Sequence, residues 1–315
     1  MLSKLAELKA SLKGDLNTDQ TSKFLYATDA SAYREMPLAV AIPKDKEDLL
    51  QLIDFATSNK TSLIPRTAGT SLAGQVVGNG IVVDVSKHFT KILEINKDEK
   101  WVRVEAGVVL DELNALLAPK GLFFGPETST SNRCMMGGMV GNNSCGAHSL
   151  VYGSTREHTL SVKALLSDAS EVEFNSISKE DFLKKCVGNT FESKIYQNIK
   201  EILSVPEHQQ EIRNEFPHPD IERRNTGYAI DLLLESNPFT EGKEDFNFSK
   251  LICGSEGTLA FITEIKLNLV DLPPKHKALV CIHFKDVKSA LDTWLKRSNK
   301  NLATLKEGKV KFSDD

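Results

Sequence analysis

The chain has 315 residues, of which 40% are hydrophobic and 26% are charged, so it can bury a large core and is not disordered. Its 39 basic and 43 acidic residues give a net charge of −4 without a dense basic stripe, which argues against a nucleic acid partner. Five cysteines without a C-x-x-C pair indicate reduced thiols rather than a disulfide framework, and we expect a cytoplasmic protein.

The first element is a helix in an N-terminal segment, residues 1–33. Leu2, Leu5, Leu8 and Leu12 recur at helical spacing with lysines between them, which predicts an amphipathic surface helix. The segment lacks the apolar run of a signal peptide, and no window of the sequence is long and apolar enough to span a bilayer. Membrane association is therefore expected to be peripheral at most, through this helix.

Short strands and helices then alternate. Residues 40–42 are predicted to form a strand, and Asp45 is the predicted N-cap of the following helix. Residues 63–65 are expected to lead into a loop, and residues 81–85 to form a buried strand.

The next part of the chain is predicted to be mainly sheet. Residues 101–106 alternate apolar with polar side chains, as a half-exposed strand does, and a helix over residues 110–117 should end at Pro119. Residues 162–166 and 171–174 flank a turn and predict a β-hairpin.

Residues 178–248 are polar and predict helices interrupted by prolines, after which residues 251–253 and 261–267 predict strands. A proline pair places a domain boundary near residue 271. In residues 271–315 we expect a strand over 278–284 and a helix over 287–296, which are too little for an independent core.

Three small-residue segments carry the chemistry: residues 65–71, residues 125–128 continuing into 137–158, and residues 254–259. Glycines there allow backbone to approach a flat ligand or another chain segment closely. The first segment offers consecutive N–H groups, two hydroxyls and a guanidinium, which suit phosphate oxygens. An ordinary tight turn with Arg66 on the surface explains this loop equally well when it is taken alone.

Together the segments resemble the FAD-binding superfamily of vanillyl-alcohol oxidase and p-cresol methylhydroxylase (PCMH). The motifs P-R-x-x-G-T-S-L, G-P-E-T-S, G-G-M-V-G-N-N-S-C-G and G-S-E-G-T-L-x-x-I-T-E-I stand in family order over about residues 34–270. The resemblance is strongest to the D-type subunit of glycolate oxidase and to D-lactate and D-2-hydroxyglutarate dehydrogenases. It implies an α+β, PCMH-type FAD-binding fold of two α/β subdomains over residues 34–270. The first elements of an incomplete ferredoxin-like cap would follow in residues 271–315.

The resemblance also implies the residues that hold the cofactor. The first loop would surround the FAD pyrophosphate, the second segment would lie beside the ribityl chain and the flavin ring, and the third would contact the adenine or the pyrimidine side of the cofactor. Since the first loop has no histidine to tether flavin, we expect noncovalent FAD. The predicted cofactor-binding residues are Arg66, Thr67, Ala68, Gly69, Thr70, Ser71, Pro126, Glu127, Thr128, Cys134, Gly137, Gly138, Asn142, Ser144, Gly146, Tyr152, Gly153, Gly257, Thr258 and Ile262.

Catalytic residues are not identified by the sequence, and no metal-ligand pattern is present. Cys134 and Cys145 are redox-active or tethering thiols in one interpretation and small packing residues in the other. His148 and His158 are either general bases or structural histidines, and no partner carboxylate is identifiable for them. For Glu256 and for the stretch 223–228, the sequence allows either contact with the substrate or a structural role.

The expected activity is oxidation of a D-2-hydroxy acid such as D-lactate or D-2-hydroxyglutarate, an EC 1.1 reaction with hydride transfer to flavin N5. The relatives' cap motif H-x-G-D-G-N-x-H and their cysteine-rich iron–sulfur runs are absent from this sequence. An alternative is therefore an FAD-binding module that is incomplete alone, either truncated or completed by a cap-domain or iron–sulfur partner polypeptide. A further alternative is a reductase similar to UDP-N-acetylmuramate dehydrogenase.

Overall fold

The computed structural model describes residues 1–218, 221, 224, 227–275 and 281–294. The chain divides into two compact units, Met1–Asp271 and Leu272–Asp315. The strands of the larger unit are β1 (Asp15–Asn17), β2 (Ala39–Ile42), β3 (Leu63–Arg66), β4 (Ile81–Asp84), β5 (Ile92–Asn96), β6 (Trp101–Glu105), β7 (Leu122–Phe123), β8 (Thr159–Leu165), β9 (Glu171–Phe174), β10 (Ser176–Ile177), β11 (Phe246–Asn247), β12 (Phe261–Asn268) and β13 (Val270–Asp271).

Helices connect and cover these strands, and a 3-10 turn at Ala118–Lys120 follows the fourth of them. The helices are α1 (Leu2–Ser11), α2 (Gln20–Tyr26), α3 (Lys46–Asn59), α4 (Leu110–Leu117), α5 (Met136–Asn142), α6 (Ser149–Tyr152), α7 (Thr155–His158), α8 (Lys179–Lys185), α9 (Phe191–Ser204), α10 (Pro206–Glu215), α11 (Ile230–Leu234) and α12 (Ser249–Ile252).

The first sheet has the strand order β1-β2-β4-β3, with β4 parallel to both β2 and β3 and β1 antiparallel to β2. Its centre is apolar on both faces, since Ala39, Val40, Ile81 and Val82 are fully buried, as a covered parallel sheet requires. The helix α3 makes the crossover, and the predicted cap is confirmed because the Asp45 side chain accepts from the backbone N of Asp48.

The second sheet is antiparallel, with the order β5-β6-β12-β8-β9. The late strand β12 lies between β6 and β8, and its residues alternate between buried and half-buried. The predicted hairpin is confirmed as β8 and β9, and its turn residue Ala169 has a φ of 64°. The predicted strand over 101–106 is also confirmed, although most of its side chains are buried.

Two of the predicted elements in the larger unit are wrong. Residues 63–65 belong to the strand β3 instead of leading into a loop, because they pair in parallel with β4. The strand predicted over residues 251–253 is not formed, since Ser249–Ile252 is a helix whose first turn is held by the Asn247 side chain accepting from the backbone N of Ser249. A short apolar run buried on all sides carries no periodicity that separates a strand from a helix.

The predicted N-terminal helix is confirmed as α1, and it packs inward. Leu5 and Leu8 are 2% and 7% exposed and join the core of the first sheet, whereas Leu2 remains exposed. Residues 1–33 therefore lie in the same compact unit as the sheets.

In the smaller unit, residues 287–294 are helical, and the Asp286 side chain accepts from the backbone N of Ser289 in the first turn. The strand predicted over 278–284 is not formed at 281–284, while residues 278–280 and 295–296 of the predicted elements lie outside the described residues. In the part of the chain that the structure describes, no helix is both long and apolar enough to cross a membrane.

Candidate cofactor site

A cavity of about 830 Å³ opens within the larger unit. It is formed by the loop after β3, the start of α5, the turn before β12 and part of the N-terminal segment. The predicted cofactor residues that line it are Arg66, Thr67, Ala68, Gly69, Thr70, Ser71, Thr128, Cys134, Gly137, Gly138, Asn142, Ser144, Gly257 and Ile262.

Six other predicted residues do not line this cavity. Thr258 contacts Tyr228 instead, with 2.7 Å between the two hydroxyl oxygens. Gly146 and Gly153 pack against the carbonyl of Glu127 and the carboxylate of Glu157, respectively, at positions with no room for a Cβ. The six residues are Pro126, Glu127, Gly146, Tyr152, Gly153 and Thr258.

The first wall of the cavity combines residues 25–30 with the loop 66–76, and we call it the Arg66 wall. Since β3 is a parallel strand, the loop leaves its carboxyl end, where ligands bind in open α/β sheets. The Arg66 guanidinium folds back, and its Nη1 donates to the carbonyl of Thr28 at 2.8 Å. Gly69 has a φ of 65° and crosses this guanidinium so closely that a Cβ would come within 2.5 Å of Nη2.

The second wall is the turn 253–258, and we call it the Arg156 wall. Arg156 is 3% exposed, and its Nη2 and Nε donate to the carbonyl of Cys253 at 2.6 and 3.1 Å. The Nε also donates to the carbonyl of Lys250 at 3.0 Å. Burial lowers the pKa of Arg156, but a guanidinium remains protonated at any physiological pH, so this wall is built on a buried cation.

The helix α5 joins the two walls through its glycines. A Cβ on Gly138 would lie 2.7 Å from Thr67 Oγ1 in the Arg66 wall, and the backbone N of Glu256 donates to the carbonyl of Gly141 at 2.8 Å. Gly137 is equally close to Ala106 at the end of β6. The three small-residue segments therefore meet in space, as the sequence predicts.

A polar network crosses the cavity at Gln75. Its Nε2 donates to Asn142 Oδ1 and to Glu256 Oε1, both at 3.1 Å. The Oε1 of Gln75 is buried without a hydrogen-bond partner among the described residues, so it offers an acceptor to a ligand N–H or O–H. Glu256 has a φ of 54°, which is uncommon for a residue other than glycine.

None of the five cysteines, all of which lie in the described residues, forms a disulfide bond. Burial raises the pKa of Cys134, despite an opposing hydrogen bond from Thr128 Oγ1 at 3.3 Å. A thiol with a raised pKa carries little thiolate at neutral pH and packs as a small apolar group. Cys145 lines the cavity and is partly exposed.

The two histidines differ. His158 is 5% exposed, and its ring nitrogens lie 2.6 Å from the carbonyl of Tyr152 and 3.2 Å from that of Asn268, which is a structural role. His148 has the carboxylate partner that the sequence does not identify, because its Nδ1 lies within hydrogen-bond distance of the Glu127 carboxylate. Glu127 and His148 lie in the two separate parts of the second segment, 125–128 and 137–158, and their spacing matches no motif that would signal the pair.

Part of the stretch 223–228 lies outside the described residues, namely 223, 225 and 226. Arg224 is described, and it pairs with Asp231 through both guanidinium nitrogens. Within the ranges given above, no group of three or more His, Cys, Asp or Glu residues is arranged to hold a metal ion.

Several lining residues carry no glycine or motif signal in the sequence. Thr130 and Arg133 lie close to a predicted segment, whereas the N-terminal residues and Phe261 of β12 enter only through the tertiary fold. The residues not foreseen include Leu25, Thr28, Asp29, Ala30, Gln75, Val76, Val85, Ala106, Thr130, Arg133 and Phe261.

The site fits FAD by its shape and chemistry. A cavity of about 830 Å³ is in the size range of cofactor pockets. Glycines 69, 138 and 257 bring backbone to its surface, Arg66 supplies positive charge, and Gln75 supplies an unpaired acceptor. An extended diphosphate and a flat ring require such close approach from several loops.

Comparison with known proteins supports this. Residues 37–175 match the sequence family described as FAD binding domain. The chain is 37% identical to D-2-hydroxyglutarate dehydrogenase of Haemophilus influenzae over 285 residues, covering 89% of this chain and 27% of that protein. The chain is 38% identical to D-2-hydroxyglutarate dehydrogenase of Escherichia coli K12, covering 88% of this chain and 27% of that protein. Glycolate oxidase subunit GlcD of Bacillus subtilis is 22% identical over 90% of this chain and 48% of that subunit.

Among solved structures, alkyldihydroxyacetonephosphate synthase superposes with a TM-score of 0.57 at 17% identity, over 87% of this chain and 41% of that one. This likeness shows the fold and confirms the predicted fold class. The chain spans about a quarter of the length of the dehydrogenases that it matches. The chain is therefore similar to FAD binding domains over residues 37–175, and to D-2-hydroxyglutarate dehydrogenases and GlcD subunits over most of its length.

Proposed function

We propose that this chain supplies the FAD-binding part of a dehydrogenase that oxidises a D-2-hydroxy acid, such as D-2-hydroxyglutarate or D-lactate. The observation that carries the proposal is the single cavity in which all three motif segments meet, in a chain homologous to D-2-hydroxyglutarate dehydrogenases. When bound, FAD would accept a hydride from the substrate carbon.

The chain's own residues would hold and orient the cofactor. The loop 66–71 and Gly257 would bind the extended part of FAD, while Gly137, Gly138 and Asn142 would lie along the ribityl chain and the ring. FAD would be held noncovalently, since no histidine lines the described cavity. The twenty residues given in the sequence analysis remain our prediction for the cofactor contacts.

His148 is the base candidate that the geometry favours over His158. Its Nδ1 is held by Glu127, which leaves Nε2 as the lone-pair nitrogen of the neutral ring. A histidine oriented by a carboxylate is the usual arrangement of a proton acceptor. Glu127 precedes the lining residue Thr128 in the sequence, although neither Glu127 nor His148 lines the cavity itself.

Partners and cellular location are part of the same proposal. Relatives named as subunits of glycolate oxidase suggest a second polypeptide, which would carry an iron–sulfur centre or a cap domain and receive or relay electrons. We propose a cytoplasmic enzyme.

The test is an anaerobic titration of the purified protein with D- and L-2-hydroxy acids while the flavin spectrum is recorded. Bleaching by D-2-hydroxyglutarate or D-lactate, with the L-enantiomers inactive, supports a hydroxy-acid dehydrogenase. A flavin that stays oxidised with every acid supports a module that is incomplete alone, and bleaching by NADPH supports the UDP-N-acetylmuramate dehydrogenase alternative. Flavin released by acid precipitation shows noncovalent binding, and a protein that never binds FAD refutes the proposal.

A further inference from the structure

The N-terminal segment forms part of the cavity, although it precedes the family match over residues 37–175. Leu25, Thr28, Asp29 and Ala30 all line the cavity. Leu25 lies in the last turn of the helix α2, and the other three residues follow that helix. Hydrogen bonds from Arg66 and Ser71 to residues 26–29 connect this segment to the loop 66–76.

One set of contacts centres on Arg66. Its Nη1 donates to the carbonyl of Thr28 at 2.8 Å, and its guanidinium carbon lies 5.1 Å from the centroid of the Tyr26 ring. The Tyr26 hydroxyl in turn donates to the carboxylate of Asp84 at 2.6 Å. Asp84 is buried at the carboxyl end of β4, a central strand, so the segment is attached to the core of the first sheet.

A second set of contacts centres on Asp29. Its carboxylate accepts a hydrogen bond from Ser71 Oγ and another from the backbone N of Ser31 at 2.9 Å. The backbone N of Ala30 donates to the carbonyl of Gly69 at 3.2 Å. The segment thus grips the loop at residues 69 and 71, where the predicted phosphate-binding groups lie.

Asp29 is an anion in a cavity for an anionic ligand, which would be unfavourable if the carboxylate were free. Burial acts to raise the pKa of Asp29, but the hydrogen bonds from Ser31 and Ser71 outweigh it and lower the pKa. The carboxylate is therefore ionised and already engaged by donors, with the Arg66 guanidinium nearby to balance its charge. Its role fits positioning of the loop rather than direct contact with the ligand.

We propose that residues 25–30 act as a clasp that holds the loop 66–71 in its cofactor-binding conformation, with Asp29 and Tyr26 as positioning residues. This rests on the proposed FAD site and names a part of it that lies outside the family match. The clasp makes FAD affinity depend on residues that the cofactor does not have to touch.

The test measures the Kd for FAD by flavin fluorescence titration of the apoprotein, together with the urea unfolding of each apo variant. Asp29→Ala should raise the Kd about ten- to a hundred-fold, because a hydrogen bond to a charged group is lost. Asp29→Asn keeps one acceptor oxygen and should give an intermediate Kd. Tyr26→Phe removes only the Asp84 hydrogen bond and should raise the Kd about three- to ten-fold.

Two controls separate positioning from general destabilisation. Leu5→Ala removes a buried side chain of α1 that does not line the cavity, so it should weaken the apoprotein against urea and leave the Kd unchanged. Asp98→Ala removes an exposed turn carboxylate and should change neither quantity. In a double-mutant cycle, Asp29→Ala and Ser71→Ala should be clearly non-additive, because Ser71 acts partly through Asp29.

A Kd within about two-fold of wild type for folded Asp29→Ala would overturn the clasp. If that variant does not fold, an unchanged Kd for both Asp29→Asn and Tyr26→Phe would overturn it in the same way. A wild-type protein that binds no FAD would refute the clasp and the proposed function together. A wild-type protein that binds FAD, with variants whose Kd is unchanged, would refute only the clasp.

Discussion

Each wall of the cavity is held by an arginine that donates to backbone carbonyls, but the two arginines differ in burial. Arg66 and Arg156 each donate to backbone carbonyls rather than to a carboxylate. Arg156 is almost fully buried and holds a turn next to its own helix, whereas Arg66 is partly exposed and holds a segment from the far N-terminal side. The Arg156 wall is therefore part of the core, and the Arg66 wall is the part whose geometry depends most on long-range contacts.

The largest expected effect is on the Arg156 wall. Arg156→Ala should lower the free energy of unfolding by about 3 kcal/mol, because the carbonyl of the buried Cys253 loses its donors and the partly buried hydrogen bonds to Lys250 and Gly227 are lost as well. Urea unfolding of the apoprotein measures this. Arg213→Ala removes an exposed ion pair with Glu235 and should cost under about 1 kcal/mol. Equal losses in the two variants would contradict the structural role of Arg156.

In the Arg66 wall, removing the arginine should affect FAD affinity more than stability. Arg66→Ala should lower the free energy of unfolding by only about 1 kcal/mol, because its guanidinium is partly exposed. The Kd for FAD should rise about a hundred-fold, since both the cation and the contact with Thr28 are lost. Fluorescence titration and urea unfolding of the same preparation measure the two effects. A large loss of stability with unchanged affinity would remove the distinction between the walls.

The Arg156 wall should also be sensitive to alkali. Complete burial raises the pKa of the Cys253 thiol to about 12, although Arg156 and Thr159 oppose the shift. The folded state keeps this thiol neutral, whereas an unfolded chain ionises it near pH 8.5. Stability is therefore unaffected below about pH 8.5 and falls above it, by up to about 1.4 kcal/mol per pH unit.

The measurement is urea unfolding at about pH 8 and about pH 10 for wild type and Cys253→Ala. The variant should lose less stability between the two pH values. Tyr26 and Tyr196 also have raised pKa values, with burial as the first cause in each, and they contribute equally to both proteins. Identical pH dependence of the two proteins would contradict the prediction.

The smallest effect concerns α5, which touches both walls. Gly138→Ala would place a Cβ 2.7 Å from Thr67 Oγ1, so the Arg66 wall must shift, and the Kd for FAD should rise about three-fold. Gly141→Ala is the matched control, since its Cβ would meet nothing closer than 3.8 Å, at Glu256 in the Arg156 wall. Because Gly141 also lines the cavity, this variant is a control for stability: it should gain up to about 1 kcal/mol in urea unfolding, whereas Gly138→Ala should not. An unchanged Kd for Gly138→Ala, or a loss of stability in Gly141→Ala, would contradict the prediction.

The sequence predicts those features that depend on local pattern. Alternation and turn residues are sufficient for the hairpin of β8 and β9 and for the Asp45 cap, and the glycine-rich segments indicate the cavity. The features that the sequence does not predict are contacts between residues far apart along the chain. Asp29 and Ser71 are 42 residues apart, and neither the clasp nor the Glu127–His148 pair has a spacing that reveals it. The prediction for residues 251–253 fails for another reason, because a short buried run has no period to read.

The position of β12 determines the order in which the antiparallel sheet can fold. This strand lies between β6 and β8, so the antiparallel sheet remains in two separate halves until residues 261–268 arrive. Folding must therefore wait for contacts that close a loop of more than a hundred residues, which makes it slow and leaves unpaired strand edges open to aggregation. Residues 37–175 expressed alone would expose two such edges, and chain synthesis must pass residue 268 before the sheet can close.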